Sequence, residues 1–163
     1  MEINQQAPLV SRKELFIQAH PDVVWKIHTA INAWSQWQPG IASARLDAPL
    51  RVGSTFQWKA GGLTITATVQ VVEPGQRMGW TGRALGTQAK HIWTLKPHQD
   101  GTLVTTEESM DGWLVKVLKV MMPRFLDESL DGWLQSRKRH AEGSLNRSAS
   151  PAAPVMLETS GRR

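Results

Sequence analysis

The chain has 163 residues, a formal net charge of +5, and 40% hydrophobic against 20% charged residues, a balance that suits one globular domain with a real core and excludes fibrous and low-complexity classes. It contains no cysteine and no tyrosine, so disulfides, thiol chemistry and a phenolic acid are excluded, and the lack of thiols fits a reducing cytoplasm. Eight tryptophans stand against three phenylalanines, an unusual weighting toward large, flat side chains that carry one donor each.

The N-terminus, Met-Glu-Ile-Asn-Gln-Gln, lacks the charged and apolar regions of a signal peptide, and no apolar run reaches the roughly 20 residues of a membrane span. Residues 1–9 are polar and read as a flexible lead. Leu15, Ile17 and Ala19 alternate with Glu14, Phe16 and Gln18, which predicts a first strand ending before His20-Pro21. Pro21, Asp22 and the apolar spacing Val24, Ile27, Ile31 predict a short helix start. A second short helix through Ala33 to Trp37 should end at Pro39-Gly40.

From Ile41 the period changes to two. Phe56 and Trp58 share one face of a short strand, and Gly61-Gly62 marks a turn. Leu63, Ile65, Ala67, Val69 and Val71 then alternate with Thr64, Thr66, Thr68 and Gln70, the cleanest strand pattern in the chain. Met78, Trp80 and Gly82 form one face of the next strand after Pro74-Gly75. Ala89, His91, Trp93 and Leu95 face one way on the one that follows. Asp100-Gly101 is a hairpin signal, and Thr102 to Met110 gives a last strand, for about seven in all, mostly antiparallel.

The segment from Asp111 to about Glu142 reads as helix. Leu114, Leu118, Met121 and Phe125 make one stripe; Leu126, Leu130, Trp133 and Leu134 carry it onward. Pro123 removes a backbone donor and clashes with the preceding turn, so two pieces meeting near Met122-Pro123 are expected rather than one rod. Arg137, Lys138, Arg139 and His140 are placed in the last turns, where cations suit the helix dipole, with Gly143 as the stop. Residues 143–163, rich in Ser, Ala and Pro, read as a disordered tail, which leaves 10–142 as the domain.

This order of elements, with the phrases Pro21-Asp22-Val23-Val24-Trp25, Ala33 to Pro39, Val52 to Trp58, Val72 to Trp80, His91 to Leu95 and Gly101-Thr102, resembles the START-like (SRPBCC) superfamily over about Leu9 to Glu142. It is most similar to the bacterial polyketide cyclase/dehydrase-type members. The resemblance implies an α+β helix-grip fold, a curved antiparallel sheet around a long C-terminal helix, with a cavity between the two. The family spans ligand carriers, cyclases, hydratases and co-chaperone domains, so the fold does not settle the function.

The inward faces of such a cavity would present Phe56, Trp58, Ile65, Val69, Met78, Trp80, His91 and Trp93 from the sheet, and Leu118, Met121, Met122 and Phe125 from the helix. Aromatic and methionine side chains with few polar groups describe an apolar pocket. His91 is the candidate proton carrier, since imidazole titrates at about 6.5. Of the adjacent Glu107 and Glu108, parity with Val104, Thr106 and Met110 favours Glu108 inward as its acid–base partner. Each of these residues could equally serve as packing or as a structural ion pair.

No Gly-rich phosphate loop, His-Glu-x-x-His or Gly-x-Ser-x-Gly occurs, and no two histidines stand at i, i+3 or i+4, so neither a metal nor a cofactor is expected. The basic residues are scattered and no nucleic-acid motif is present, which argues against a nucleic-acid partner. The first functional reading is binding of a small hydrophobic or aromatic molecule. A polyketide cyclase or dehydratase using His91 and Glu108, and a co-chaperone-like interaction module, stand as alternatives, with monomer and homodimer both open.

Overall fold

The structure, a computed structural model, describes residues 1–148; the expected tail from 149 onward lies outside the described residues. Seven strands form one antiparallel sheet: β1 (Leu9–Ile17), β2 (Ile41–Leu46), β3 (Thr55–Ala60), β4 (Leu63–Glu73), β5 (Arg77–Ala84), β6 (Thr87–His98) and β7 (Gly101–Asp111). Their order across the sheet is β1-β7-β6-β5-β4-β3-β2. Five hairpin-like steps thus follow the chain from β2 to β7, and β1 closes onto β7 with Leu9 opposite Met110 and Ile17 opposite Thr102. Helices α1 (Pro21–Thr29), α2 (Trp113–Met121) and α3 (Phe125–Ser148) and a 3-10 turn over Ile31–Gln36 complete the fold. This is the α+β helix-grip architecture, an open curved sheet with a long C-terminal helix.

The start of α1 is built as its sequence dictates. His20 Nδ1 accepts from the Asp22 N–H at 3.3 Å, Pro21 opens the first turn, and Asp22 sits at the positive end of the dipole. The expected second helix is instead the 3-10 turn, one step earlier, with Trp37 as its cap. Its Trp34 is fully buried and donates its indole N–H to the His28 carbonyl at 2.9 Å.

Two strand details depart from simple alternation. A bulge in β4 lies between Val69, opposite Trp80, and Val71, opposite Gly79. Past the bulge Val72 takes the core-facing register opposite Met78, while Val71 approaches Gly79 on the other face beside Met1, so the five-valued stripe ends at Val69. At the β6–β7 hairpin the left-handed residue is Gln99, at φ 51°. Gly101 is required for a different reason: a Cβ there would meet the Ile17 carbonyl oxygen at 2.3 Å.

The C-terminal helix is two helices. Met122 has φ −139° and ψ 68°, out of the helical region as a residue before proline must be, and Pro123 starts the break. The two halves then bury different stripes. In α3 Leu126, Leu130, Leu134 and Ala141 are buried. In α2 the buried residue is Val115, while Leu114 and Leu118 are half-buried and Met121 is exposed, so the single stripe read through Leu114, Leu118, Met121 and Phe125 does not exist. The helix also does not stop at Gly143 but continues to Ser148, which puts Arg137 to His140 in its middle.

Polar contacts clasp α3 to the edge strand. Ser11 donates to Asp127, Lys13 pairs with Asp127 and Asp131 at 3.5 Å each, and Lys138 donates to the Phe16 carbonyl at 2.8 Å. The Gln18 N–H donates to Glu142 at 2.9 Å. Of residues 1–9, expected as a flexible lead, Leu9 opens β1; the Asn4 N–H donates to Ser109 Oγ at 2.9 Å and Arg77 donates to the Met1 carbonyl at 2.6 Å.

Candidate ligand site

Strand pairing puts the candidate residues into rows. Val69, Trp80, His91, Glu108 and Ser11 lie opposite one another across β4, β5, β6, β7 and β1. Met78, Trp93 and Thr106 form the next row on the same face. Because side chains alternate along a strand, Glu108 projects from this inner face and Glu107 from the other.

Between this face and the first turns of α3 lies a cavity of about 150 Å³. Trp58, Ile65, Trp80, His91, Glu108, Met110, Phe125, Leu126, Ser129 and Trp133 form its walls, with Arg83, Ala84 and Thr87 at the β5–β6 turn. An adjoining depression of about 240 Å³ shares Trp58, Ala60, Ser129 and Trp133, so the two indoles form a partition reached from both sides. A larger depression of about 690 Å³ is walled by turns around His20, Pro74 and Pro97 at another end of the molecule. It lacks the aromatic wall and acid–base pair that mark the smaller one.

The polar floor of the cavity is the row pair His91–Glu108. His91 Nε2 lies 2.7 Å from Thr106 Oγ1 and Nδ1 lies 3.5 Å from Glu108 Oε2. Indoles enclose the imidazole: Trp80 and Trp93 centroids are 4.9 and 5.0 Å away. Burial, and then the charge of Arg137, lower the His91 pKa to about 3. Burial raises that of Glu108 to about 8. At neutral pH the pair is therefore an uncharged imidazole beside an uncharged carboxylic acid, not an ion pair. Glu108 can donate a hydrogen bond, with its side chain still 14% exposed.

One layer deeper lies a second polar cluster that sequence reading missed. Arg137 is completely buried, its guanidinium carbon 3.9 Å above the Trp93 ring, and Nη2 donates to His28 Nδ1 at 2.6 Å. Its Nε and Nη1, with His28 Nε2 and the indole nitrogens of Trp37 and Trp93, have no hydrogen-bond partner among the described residues. Burial lowers the guanidinium to about 9, so it stays charged at neutral pH. Burial first, then Arg137, then His91, hold His28 well below its ordinary value and neutral. The signal was present: Arg137 falls three residues after Leu134 and four before Ala141, on the apolar stripe itself, and His28 falls four after buried Val24.

Of the residues expected at the site, Trp58, Ile65, Trp80, His91, Glu108 and Phe125 are brought together on the cavity wall. Phe56, Val69, Met78 and Trp93 are not; they lie fully buried behind it and fill the core. Leu118, Met121 and Met122 are also elsewhere, because α2 ends at the Met122-Pro123 break and turns Val115 inward instead. Trp133 and Met110 join the wall without having been expected there. Among the described residues no group of three or more potential ligands could hold a metal.

Residues 10–142 match the protein-family profile described as polyketide cyclase/dehydrase and lipid transport. No curated protein matches the sequence significantly. Similar solved structures include a hypothetical protein from Helicobacter pylori, 16% identical over 84% of this chain and 90% of that one, with a TM-score of 0.75. The Zhui aromatase/cyclase from a Streptomyces species is 10% identical over 88% and 99%, with a TM-score of 0.72. A START superfamily protein from Mycobacterium smegmatis is 15% identical over 83% and 98%, with a TM-score of 0.69. At these identities the likeness concerns the fold.

Proposed function

Because the chain belongs to the polyketide cyclase/dehydrase and lipid transport family, we propose that it binds a small hydrophobic or aromatic molecule between the sheet and α3. Trp58, Ile65, Trp80, Phe125 and Trp133 would pack the apolar body, and Glu108 would donate one hydrogen bond to a ligand oxygen. The observation that carries this reading is the pairing of an aromatic wall with a single neutral acid, beside His91, on a cavity of about 150 Å³. A two-ring aromatic is the size such a space suits. The test is titration with 2-naphthol and 2-methylnaphthalene, followed by tryptophan emission. Saturable binding of both, tighter for the naphthol, is expected; no binding of either or of related aromatics sinks the proposal.

A second reading, an enzyme of the cyclase or dehydratase kind, is favoured by one specific feature. Glu108 with a pKa of about 8 is an acid poised near neutrality, and the neutral imidazole of His91, with Nδ1 3.5 Å from the carboxyl, can orient it. In that case Glu108 would protonate a substrate oxygen as it leaves or enolises, and the carboxylate left behind would take a proton from the adjacent substrate carbon, restoring the acid. His91→Phe would then abolish turnover of a poly-β-keto substrate while leaving methylnaphthalene binding intact. In the carrier reading no turnover exists to lose.

A further inference from the structure

Helix α2 carries an apolar face that nothing in the described residues covers. Trp113, Val117, Val120 and Met121 are 63, 44, 82 and 74% exposed, and Met122 follows at 50%. At 100° per residue the four helical positions fall within an arc of roughly 100°. Opposite them the fully buried Val115 anchors α2 to Leu9, Leu126 and Leu130. Leu85, at the β5–β6 turn, adds another side chain 66% exposed. That turn is fixed to α2: the Leu114 N–H donates to the Gly86 carbonyl at 3.2 Å, and the Trp113 indole packs so close to Gly86 that a Cβ there would lie 2.5 Å from it.

The charges on the helix itself are positive. Lys116 flanks the arc, Lys119 stands beyond it, and Arg124, paired with Glu128 at 3.7 Å, follows the helix; Gly112 to Arg124 contains no acidic residue, Asp111 lying just before it. Arg83 is exposed on the hairpin that carries Leu85. A contiguous apolar strip flanked by cations, with tryptophan at one end, has the chemistry of a helix lying in a lipid interface. A second copy of the chain fits less well, because a two-fold contact through this face would bring Lys116 toward its own counterpart, with no acidic residue between Gly112 and Arg124 to offset it.

We propose that α2 and the β5–β6 turn form a docking surface for an anionic lipid bilayer. Trp113, Val117, Val120, Met121 and Leu85 enter the headgroup–acyl boundary while Lys116, Lys119 and Arg124 meet the anionic headgroups. The placement bears on the cavity, since the same turn supplies Arg83, Ala84 and Thr87 to its wall and α3 begins the other wall just after α2. A docked molecule therefore holds the cavity's rim against the membrane surface. The surface stands whether or not the cavity binds an aromatic ligand.

The test is co-sedimentation of the full chain with vesicles of phosphatidylcholine alone and of an equal mixture with phosphatidylglycerol. Binding to the mixture at least tenfold tighter than to phosphatidylcholine, and weakening with salt, is expected. Val117→Glu with Val120→Glu should lower it at least tenfold while melting temperature and naphthol binding stay unchanged. Lys116→Glu with Lys119→Glu should do the same, and Trp113→Phe should remove the lipid-dependent blue shift of emission. No wild-type binding, or equal binding to both vesicles, overturns the proposal. So does a wild-type dimer in light scattering that the valine variant dissolves, since a second copy would then be the occupant.

Discussion

The two buried histidines occupy opposite kinds of interior. His91 touches a cavity, with Thr106 on one nitrogen and Glu108, itself on the cavity wall, near the other. His28 is sealed among Trp34, Trp80 and Trp93 and accepts a hydrogen bond from a guanidinium that has no acid partner among the described residues. Burial holds both neutral. The difference teaches that neutrality does not mark function here. What separates the two is access to a cavity, together with a neighbour, Glu108, that titrates near physiological pH.

The contrast breaks most sharply at the sealed cluster. His28→Ala removes the one hydrogen-bond acceptor of a buried cation and should cost about 3–5 kcal/mol in chemical unfolding. Arg137→Met replaces the cation with an apolar chain of similar length. It should instead leave stability within about 1 kcal/mol of wild type or raise it, because the desolvated charge is gone. A loss from Arg137→Met as large as that from His28→Ala would mean the guanidinium is a net stabiliser and the cluster is more than tolerated.

The next largest effect is on the pH profile. Glu108 is raised to about 8, so its share of stability is complete below the ordinary carboxylate range and is lost as pH rises toward 8. The slope is at most about 1.4 kcal/mol per pH unit. His28 and His91 are lowered, so their share is complete above about 6.5 and is lost as pH falls below it. Two groups then oppose one, and these three place the stability maximum near pH 6.5. Unfolding free energies of Glu108→Gln should show no decline between pH 6.5 and 8; an unchanged decline would show that Glu108 is already ionised at neutrality.

At the accessible pair the effect is smaller and selective. His91→Phe should weaken 2-naphthol by about 1–3 kcal/mol and spare 2-methylnaphthalene, because it takes away Glu108's neighbour in a polar floor that only the naphthol uses. Equal weakening of both, with lost stability, would move His91 into the class of His28. The smallest change is expected for Glu107→Gln, on the outer face, with unfolding free energy and naphthol affinity within about 0.5 kcal/mol of wild type.

The fold was readable because its strands largely keep their alternation and its turns use the expected glycines and aspartate; Ile65, Ala67 and Val69, and Ala89 to Leu95, face inward as their parity predicts, while Leu63 at the strand's start is exposed. Parity also singled out Glu108 over Glu107. Reading stopped where a residue's type and its position disagreed. Arg137 looked like a complement to a helix end, but that holds only if the helix stops at Gly143, and it continues to Ser148. Val71 obeys alternation in sequence, yet the bulge after Val69 reverses the faces. Met121 and Met122 have pocket-like side chains, but a backbone break, not hydrophobicity, decides which way α2 turns.

The pairing of β1 with β7 sets a timetable for the nascent chain. Leu9 finds Met110 only after about a hundred further residues have been added, which at roughly 5–20 residues per second takes about 5–20 s. During that interval β2 to β6 can zip in sequence by local hairpins, while β1, with its apolar Leu9, Leu15 and Ile17, has no sheet partner. Completion waits further for α3, whose Asp127, Asp131 and Lys138 hold the same strand. A release experiment with stalled chains should find protease resistance of the first strand appearing only when α3 has left the ribosome, long after the central hairpins are protected. A helix made long after β1 is the clasp that holds it.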